Sequence, residues 1–217
     1  AAVAYRQVTQ LDPGNRQAWT NLGGAQTMAG DFESGRLAYE ESLKIEKTGT
    51  AYSNLGVIYY YLGEFEKSVT EHRAAIALNP DQTMNWLNLA DALYFAGETT
   101  KAKSAFRNAS ELAESRLSVD PDDANTMLLL GWAQQMLGDT AAAKEFIDKG
   151  LDMAPNNPYG QYYSGLIELG AGNHEGALRA LQSALDNGYP AKMLAAEPYL
   201  EDLKQNRKFR RMISANN

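Results

Sequence analysis

The 217-residue chain contains no cysteine and only two histidines. The first absence removes disulfides, thiol nucleophiles and cysteine metal sites together, and it leaves the redox compartment undecided. The second leaves few side chains from which to assemble a catalytic constellation. No apolar run approaches the roughly 18 residues needed to cross a bilayer. The opening AAVAYRQVTQLDP is too polar for a signal peptide. The chain therefore reads as soluble, with the cytoplasm favoured and an extracytoplasmic place left open should a membrane span lie upstream. Positive charge is also scarce: 20 Lys and Arg stand against 27 Asp and Glu, a net charge of -7. Such a molecule repels phosphate backbones and anionic lipid, which disfavours general nucleic-acid binding.

What the sequence does have is a hydrophobic fraction of 44% and a period. Trp19, Leu22, Gly23, Gly30, Asp31 and Phe32 return as Tyr52, Leu55, Gly56, Gly63, Glu64 and Phe65. Trp86, Leu89, Ala90, Gly97 and Glu98 follow, then Met127, Leu130, Gly131, Gly138 and Asp139. A fainter copy holds Gly165, Gly172 and Asn173. Within each unit the apolar residues recur at three and four, the signature of two amphipathic helices. The Gly-Asp, Gly-Glu or Gly-Asn step between them predicts a left-handed exit from the first helix and a cap for the second. Small residues in the second helix (Ser68 and Ala75, Ala102 and Ala109, Ala143 and Gly150, Ala177 and Ala184) are expected to face Gly23, Gly56, Ala90, Gly131 and Gly165 and let the axes approach. Larger neighbours such as Tyr39, Phe106, Ile147 and Leu181 would fill the surrounding space.

Units end in LDPGN, LNPDQ, VDPDD and APNNP, where proline stops one helix and Asp or Asn caps the next. At these residues the chain resembles the tetratricopeptide repeat family. The resemblance implies an all-α, right-handed superhelical solenoid of antiparallel helix pairs. Five units are read over residues 16–188, starting near Arg16, Gly49, Thr83, Ala124 and Pro158. Residues 1–15 look like the second helix of a preceding unit, with an apolar face of Tyr5, Val8 and Leu11 poorly covered, so the sequence reads as cut from a longer chain. Residues 189–217 form a helical cap.

The third unit is seven residues longer between Ala109 and Pro121 than its neighbour is between Ala75 and Pro80. Seven residues is about two helical turns, so that helix can lengthen without rotating its buried face, projecting roughly 10 Å further. With the ending NGYPAKMLAAEPYLEDLKQNRKFRRMI, this is similar to the C-terminal repeat region of bacterial multidomain signalling proteins of the serine/threonine kinase, nucleotide cyclase or winged-helix types. The resemblance implies a sensory or partner-docking role.

Motifs for chemistry are weak. His72 falls where other units place Tyr39 or Phe106, and His174 where they place Phe32 and Phe65, so packed histidines are expected at both. DPDDAN at 120–125 lacks the glycine and the terminal acid of a calcium loop. GLIELGAGN at 165–173 lacks the Lys-Ser/Thr ending of a phosphate loop. No catalytic residue, cofactor or metal ligand is read. The tail carries Lys204, Arg207, Lys208, Arg210 and Arg211, and residues 192–217 total +3, leaving -10 for the remainder. A capping helix with a solvated basic face is the leading reading of it, and head-to-tail self-association or contact with nucleic acid or lipid the others.

In this repeat family the first helices line a concave groove. The places that face it give Asn21 in the first unit, Asn54, Tyr60 and Tyr61 in the second, and Asn88, Asp91, Tyr94 and Phe95 in the third. Trp132 and Gln135 follow in the fourth and Tyr162 in the fifth. The basic residues with which chaperone-binding relatives clamp a carboxylate are missing. An aromatic and apolar groove with an amide ladder remains, suited to an extended or helical peptide with apolar anchors. The groove could equally be filled by the protein's own flanking segment. Three neighbouring tyrosines on a helix sweep about 200°, so Tyr59 is expected in the core while Tyr60 and Tyr61 turn to the groove. An oligomerisation scaffold is the competing reading, and a small-ligand or nucleic-acid binder the third.

Overall fold

The computed structural model describes residues 1–216, and they fold as thirteen α-helices and one 3-10 helix, with no strand among them. The chain divides into two compact units, Ala1–Ala102 and Lys103 onward.

The first unit contains α1 (Ala2–Leu11), α2 (Arg16–Met28), α3 (Phe32–Ile45), α4 (Gly49–Tyr61), α5 (Phe65–Leu78) and α6 (Thr83–Phe95). α2 packs on α3 and α4 on α5, and each pair packs on the next helix in sequence. The helix α7 (Thr99–Val119) runs for 21 residues against 14 for α3 and α5. At 1.5 Å per residue it is about 10 Å longer. The second unit continues with α8 (Ala124–Leu137), α9 (Thr140–Met153), α10 (Pro158–Gly170) and α11 (His174–Asp186). α12 (Ala191–Ala196), the 3-10 helix Pro198–Leu203 and α13 (Arg207–Ala215) complete it.

Close approach in the pairs α2–α3, α4–α5, α8–α9 and α10–α11 is set by a larger side chain lying on a glycine. A Cβ placed at Gly23 would come within 2.9 Å of the Tyr39 ring, at Gly131 within 2.8 Å of Ile147 and at Gly165 within 2.7 Å of Leu181. The small residues act beside these contacts: Ser68 Oγ donates to the Gly56 carbonyl at 2.8 Å. Tyr39, fully enclosed with Leu55, Ile58 and Tyr59, anchors the core of the first unit. Burial pushes its phenol up to about 12, against the opposing pull of hydrogen bonds with Thr27 and Asn54.

Helix boundaries follow the expected chemistry except at the starts of α5 and α6, where Glu64 and Gln82 make no side-chain cap. The first helices exit through Gly30, Gly63, Gly97, Gly138 and Gly172, all at positive φ. Asp31, Asp139 and Asn173 then accept from the backbone N–H of Ser34, Ala142 and Gly176. Glu64 makes no such cap, because its longer side chain reaches past the N–H groups to pair with Lys67. At the junctions, Asn15, Asp123 and Asn157 cap α2, α8 and α10. A further bond recurs that only part of the repeat pattern suggests. The indole N–H of Trp19 donates to the Pro13 carbonyl at 2.9 Å, and that of Trp86 to Pro80 at 2.9 Å. The Gln161 amide donates to Pro155 at 2.7 Å from the matching place.

Asp123 is a heavily engaged cap. It accepts from Thr126 N–H at 3.1 Å, Thr126 Oγ1 at 2.7 Å and Arg116 Nε at 2.8 Å. Burial pushes its carboxyl upward, but these donors outweigh that and hold it below the usual range. Asp123→Ala is expected to lower stability by about 1–2 kcal/mol in urea denaturation, with Asp123→Asn recovering most of the loss. Equal losses for both variants would show that the cap is not the source.

Candidate functional site

In the first unit the carboxyl ends of α4 and α6 bring aromatic side chains into a continuous run. Tyr61 stacks on Phe32 with ring centroids 5.4 Å apart, and Tyr60 meets Tyr61 edge-on at 5.5 Å. Tyr60 then contacts Phe65 at 5.8 Å and Phe95 at 5.7 Å, while Phe95 carries Tyr94 edge-on at 5.2 Å. Edge-to-face and offset geometries at these separations are the favourable ones for aromatic pairs. Of the residues read as groove-lining, Tyr60, Tyr61, Tyr94 and Phe95 are thus joined. Phe32 and Phe65, which complete the run, were not singled out. Their signal was present, since each follows the Gly-Asp or Gly-Glu step that begins a second helix.

Exposure along the run is uneven. Tyr60 keeps only 8% of its surface, because rings from α4, α5 and α6 enclose it; Tyr59 is buried as expected. Tyr61 and Phe95 are half-buried and Tyr94 is 44% exposed, with Met84 also exposed on α6. The remaining candidate polar residues stand on three first helices, Asn21 on α2, Asn54 on α4, and Asn88 and Asp91 on α6. Asn21 accepts from Gln17 Nε2 at 2.9 Å, Asn54 bonds to the Tyr39 phenol, and Asn88 and Asp91 are half-buried.

In the second unit the candidate residues are covered by the protein's own ending. Trp132 is 3% exposed, stacked on Tyr163 at 5.7 Å and met edge-on by Tyr199 of the 3-10 helix at 5.2 Å. Tyr162 stacks on Tyr189 at 4.9 Å and is buried. Gln135 is half-buried, and its Oε1 is enclosed without a hydrogen-bond partner. Trp132 and Tyr162 were expected to face a groove. Tyr189, from the loop after α11, and Tyr199, from the 3-10 helix, lie on Tyr162 of α10 and Trp132 of α8 and cover them.

The histidines differ. His72 lies fully enclosed over Gly56, whose Cβ would come within 2.6 Å of the ring, and neither nitrogen has a hydrogen-bond partner. Burial lowers its pKa to about 3, so the ring is neutral packing material. His174, also expected to be packed, is exposed. The rings that cover Phe32 and Phe65 come from the next first helix, α4 or α6, whereas α11 is followed by the short α12.

Among the described residues no helix is long and apolar enough to cross a membrane. Comparison with known proteins gives tetratricopeptide repeat models matching residues 1–51, 48–79 and 82–156. The chain is 26% identical over 141 residues to a protein O-mannosyl-transferase of Homo sapiens, an overlap of 65% of this chain and 15% of that protein. It therefore spans a small part of that relative's length. Among solved structures it is similar to a thermophilic TPR protein of Thermus thermophilus, with a TM-score of 0.63, 16% identity, and coverage of 93% of this chain and 98% of that one. It is also similar to YrrB, described as a TPR protein with an unusual peptide-binding site. There the TM-score is 0.51 at 18% identity, over 90% of this chain and 98% of that one. Sequence period, helix pairing and family models converge: the chain belongs to the tetratricopeptide repeat family, whose generally non-enzymatic fold is that of a protein–protein interaction module.

Proposed function

We propose that the chain is a non-enzymatic docking module that binds a peptide or protein segment along the first-helix faces of the unit Ala1–Ala102. We further propose that it is the regulatory or sensory region of a larger bacterial signalling protein. The observation that carries the first reading is the aromatic run ending in the exposed Tyr94, with Met84 exposed at the other end of α6 and the amides of Asn21 on α2 and Asn88 on α6. Rigid aromatic side chains offer large contact area at low entropic cost, and amides can satisfy a peptide backbone in both directions. The likeness to YrrB, whose description names a peptide-binding site, is in keeping with this, and so is the absence from these helices of a basic clamp. The signalling role rests on the lengthened α7 and the form of the ending.

The test is selection from a displayed random peptide library, followed by titration of the selected peptides. Peptides with apolar or aromatic anchors are expected, and Tyr94→Ala with Asn88→Ala should weaken them by about tenfold or more. Asn54 is a poor choice of variant because it also supports Tyr39. Unchanged affinity in the double variant, or a library that yields no binder, would refute groove binding.

A second reading, an oligomerisation scaffold, is favoured by α1, where Val3, Val8 and Leu11 are exposed, Leu11 to 88%. It requires a solution mass that rises with concentration and falls with Val3→Ser and Leu11→Ser. A strict monomer at all concentrations excludes it.

A further inference from the structure

Of the five basic residues in the segment 204–211, the structure uses two internally. Lys204 pairs with Glu201 at 2.6 Å and Lys208 with Glu175 at 2.6 Å. The other three, Arg207, Arg210 and Arg211, are exposed and form no ion pair among the described residues. They share the outer side of α13 at spacings of three and four, which places them together on one face about 6 Å long. Beside them is a surface hollow of about 520 Å³ lined by Arg207, Arg210, Arg211, Ser214 and Ala215. Ser214 donates its hydroxyl proton to the Arg210 carbonyl at 2.9 Å, so the guanidinium groups are the donors facing the hollow.

We propose that this arginine face of α13 docks an acidic segment of a partner polypeptide, its side-chain carboxylates held by Arg207, Arg210 and Arg211. Guanidinium forks match carboxylates two bonds at a time, and three of them within one turn suit two or three consecutive acidic side chains. Alternative anions fit less well. The opposite side of α13 is already consumed, since Phe209, Met212 and Ile213 are buried in the second unit, so the helix has no apolar face left to enter a lipid surface. Three cations on a chain of net charge -7 neutralise too few phosphates to hold a nucleic-acid backbone. The proposal concerns α13 alone and is independent of ligand binding by the first unit.

The experiment is fluorescence anisotropy of the full chain with labelled hexa-aspartate, with hexa-serine, poly-uridylate and phosphatidylserine vesicles as the comparison arms. Hexa-aspartate is expected to bind most tightly. The triple variant R207Q/R210Q/R211Q should weaken it by about tenfold or more with an unchanged melting temperature. A control with the same loss of charge elsewhere in the unit, K103Q/R107Q/K144Q, should bind like the parent. Single changes, R207Q or R211Q, give a graded loss and keep the test valid should the triple variant fold poorly. Hexa-aspartate binding no tighter than hexa-serine, equal losses in the triple variant and the control, or preference for poly-uridylate or vesicles would each overturn the proposal.

Discussion

Replacing Tyr39 with alanine is expected to destabilise the unit Ala1–Ala102 by about 3–5 kcal/mol, seen as a lowered urea midpoint in far-ultraviolet circular dichroism. The residue keeps 2% of its surface and its ring lies on Gly23, so its removal leaves a cavity between α2 and α3 that backbone movement only partly closes. Tyr39→Phe separates packing from polarity. It retains the ring on the glycine and loses the hydrogen bonds to Thr27 and Asn54, for an expected cost of about 1 kcal/mol. A loss below about 1 kcal/mol for the alanine variant would show that the ring-on-glycine contact does not hold the pair together.

His72 should make the same unit sensitive to acid. In the unfolded chain the imidazole titrates near its ordinary 6.5, while in the folded chain burial lowers it to about 3. As pH falls through that window the unfolded state takes up a proton that the folded state refuses. Stability is therefore complete above about 6.5 and declines by up to about 1.4 kcal/mol per pH unit below it. His72→Leu removes this dependence and the two enclosed nitrogens without partners, and it copies Leu181, which lies on Gly165 at the matching place. Urea midpoints at pH 7, 5.5 and 4 should diverge, the leucine variant gaining on the parent at each step. Carboxylates common to both proteins cancel in the difference. Parallel pH profiles would refute the assignment.

The fold was legible because its determinants are local. Gly30 with Asp31 and Gly138 with Asp139 state a left-handed exit and a cap within two residues, and Pro13, Pro80 and Pro121 punctuate the junctions. Gln161 was not legible as the partner of Pro155, since a pattern built on Trp19 and Trp86 tracks residue type whereas the structure needs only an N–H of the right reach. Glu64 shows the converse, a residue of plausible type whose length takes it to Lys67.

The joining of Tyr60, Tyr61, Tyr94 and Phe95 was legible in the helical period, and the covering of Trp132 and Tyr162 was not. Helical periodicity assigns Tyr60, Tyr94 and Trp132 to a face, but whether a face is open depends on segments remote in sequence. The second unit's face is closed by Tyr189 and Tyr199, in a stretch where the repeat has lapsed and spacing carries no information. His174 was misread for a related reason: its place in the period matched Phe32, yet the ring that covers Phe32 belongs to a later helix. Likewise, counting tail charges could not separate Lys204 and Lys208, which are paired at home, from the three arginines that are not.

The glycines that end the helices have a consequence for the handedness of the chain itself. At Gly63, Gly97, Gly138, Gly172 and Gly188, a Cβ would meet nothing within 4 Å, although φ lies between +74 and +97°. What bars a side chain there is chirality and not space, because an L-residue collides with its own backbone at such angles. A mirror-image alanine introduced by chemical ligation at Gly63 or Gly97 would sit in its own preferred conformation and narrow the freedom of the unfolded chain. In this protein the backbone angles at these places are the mirror image of those an L-residue prefers, and so are the ones a D-amino acid favours.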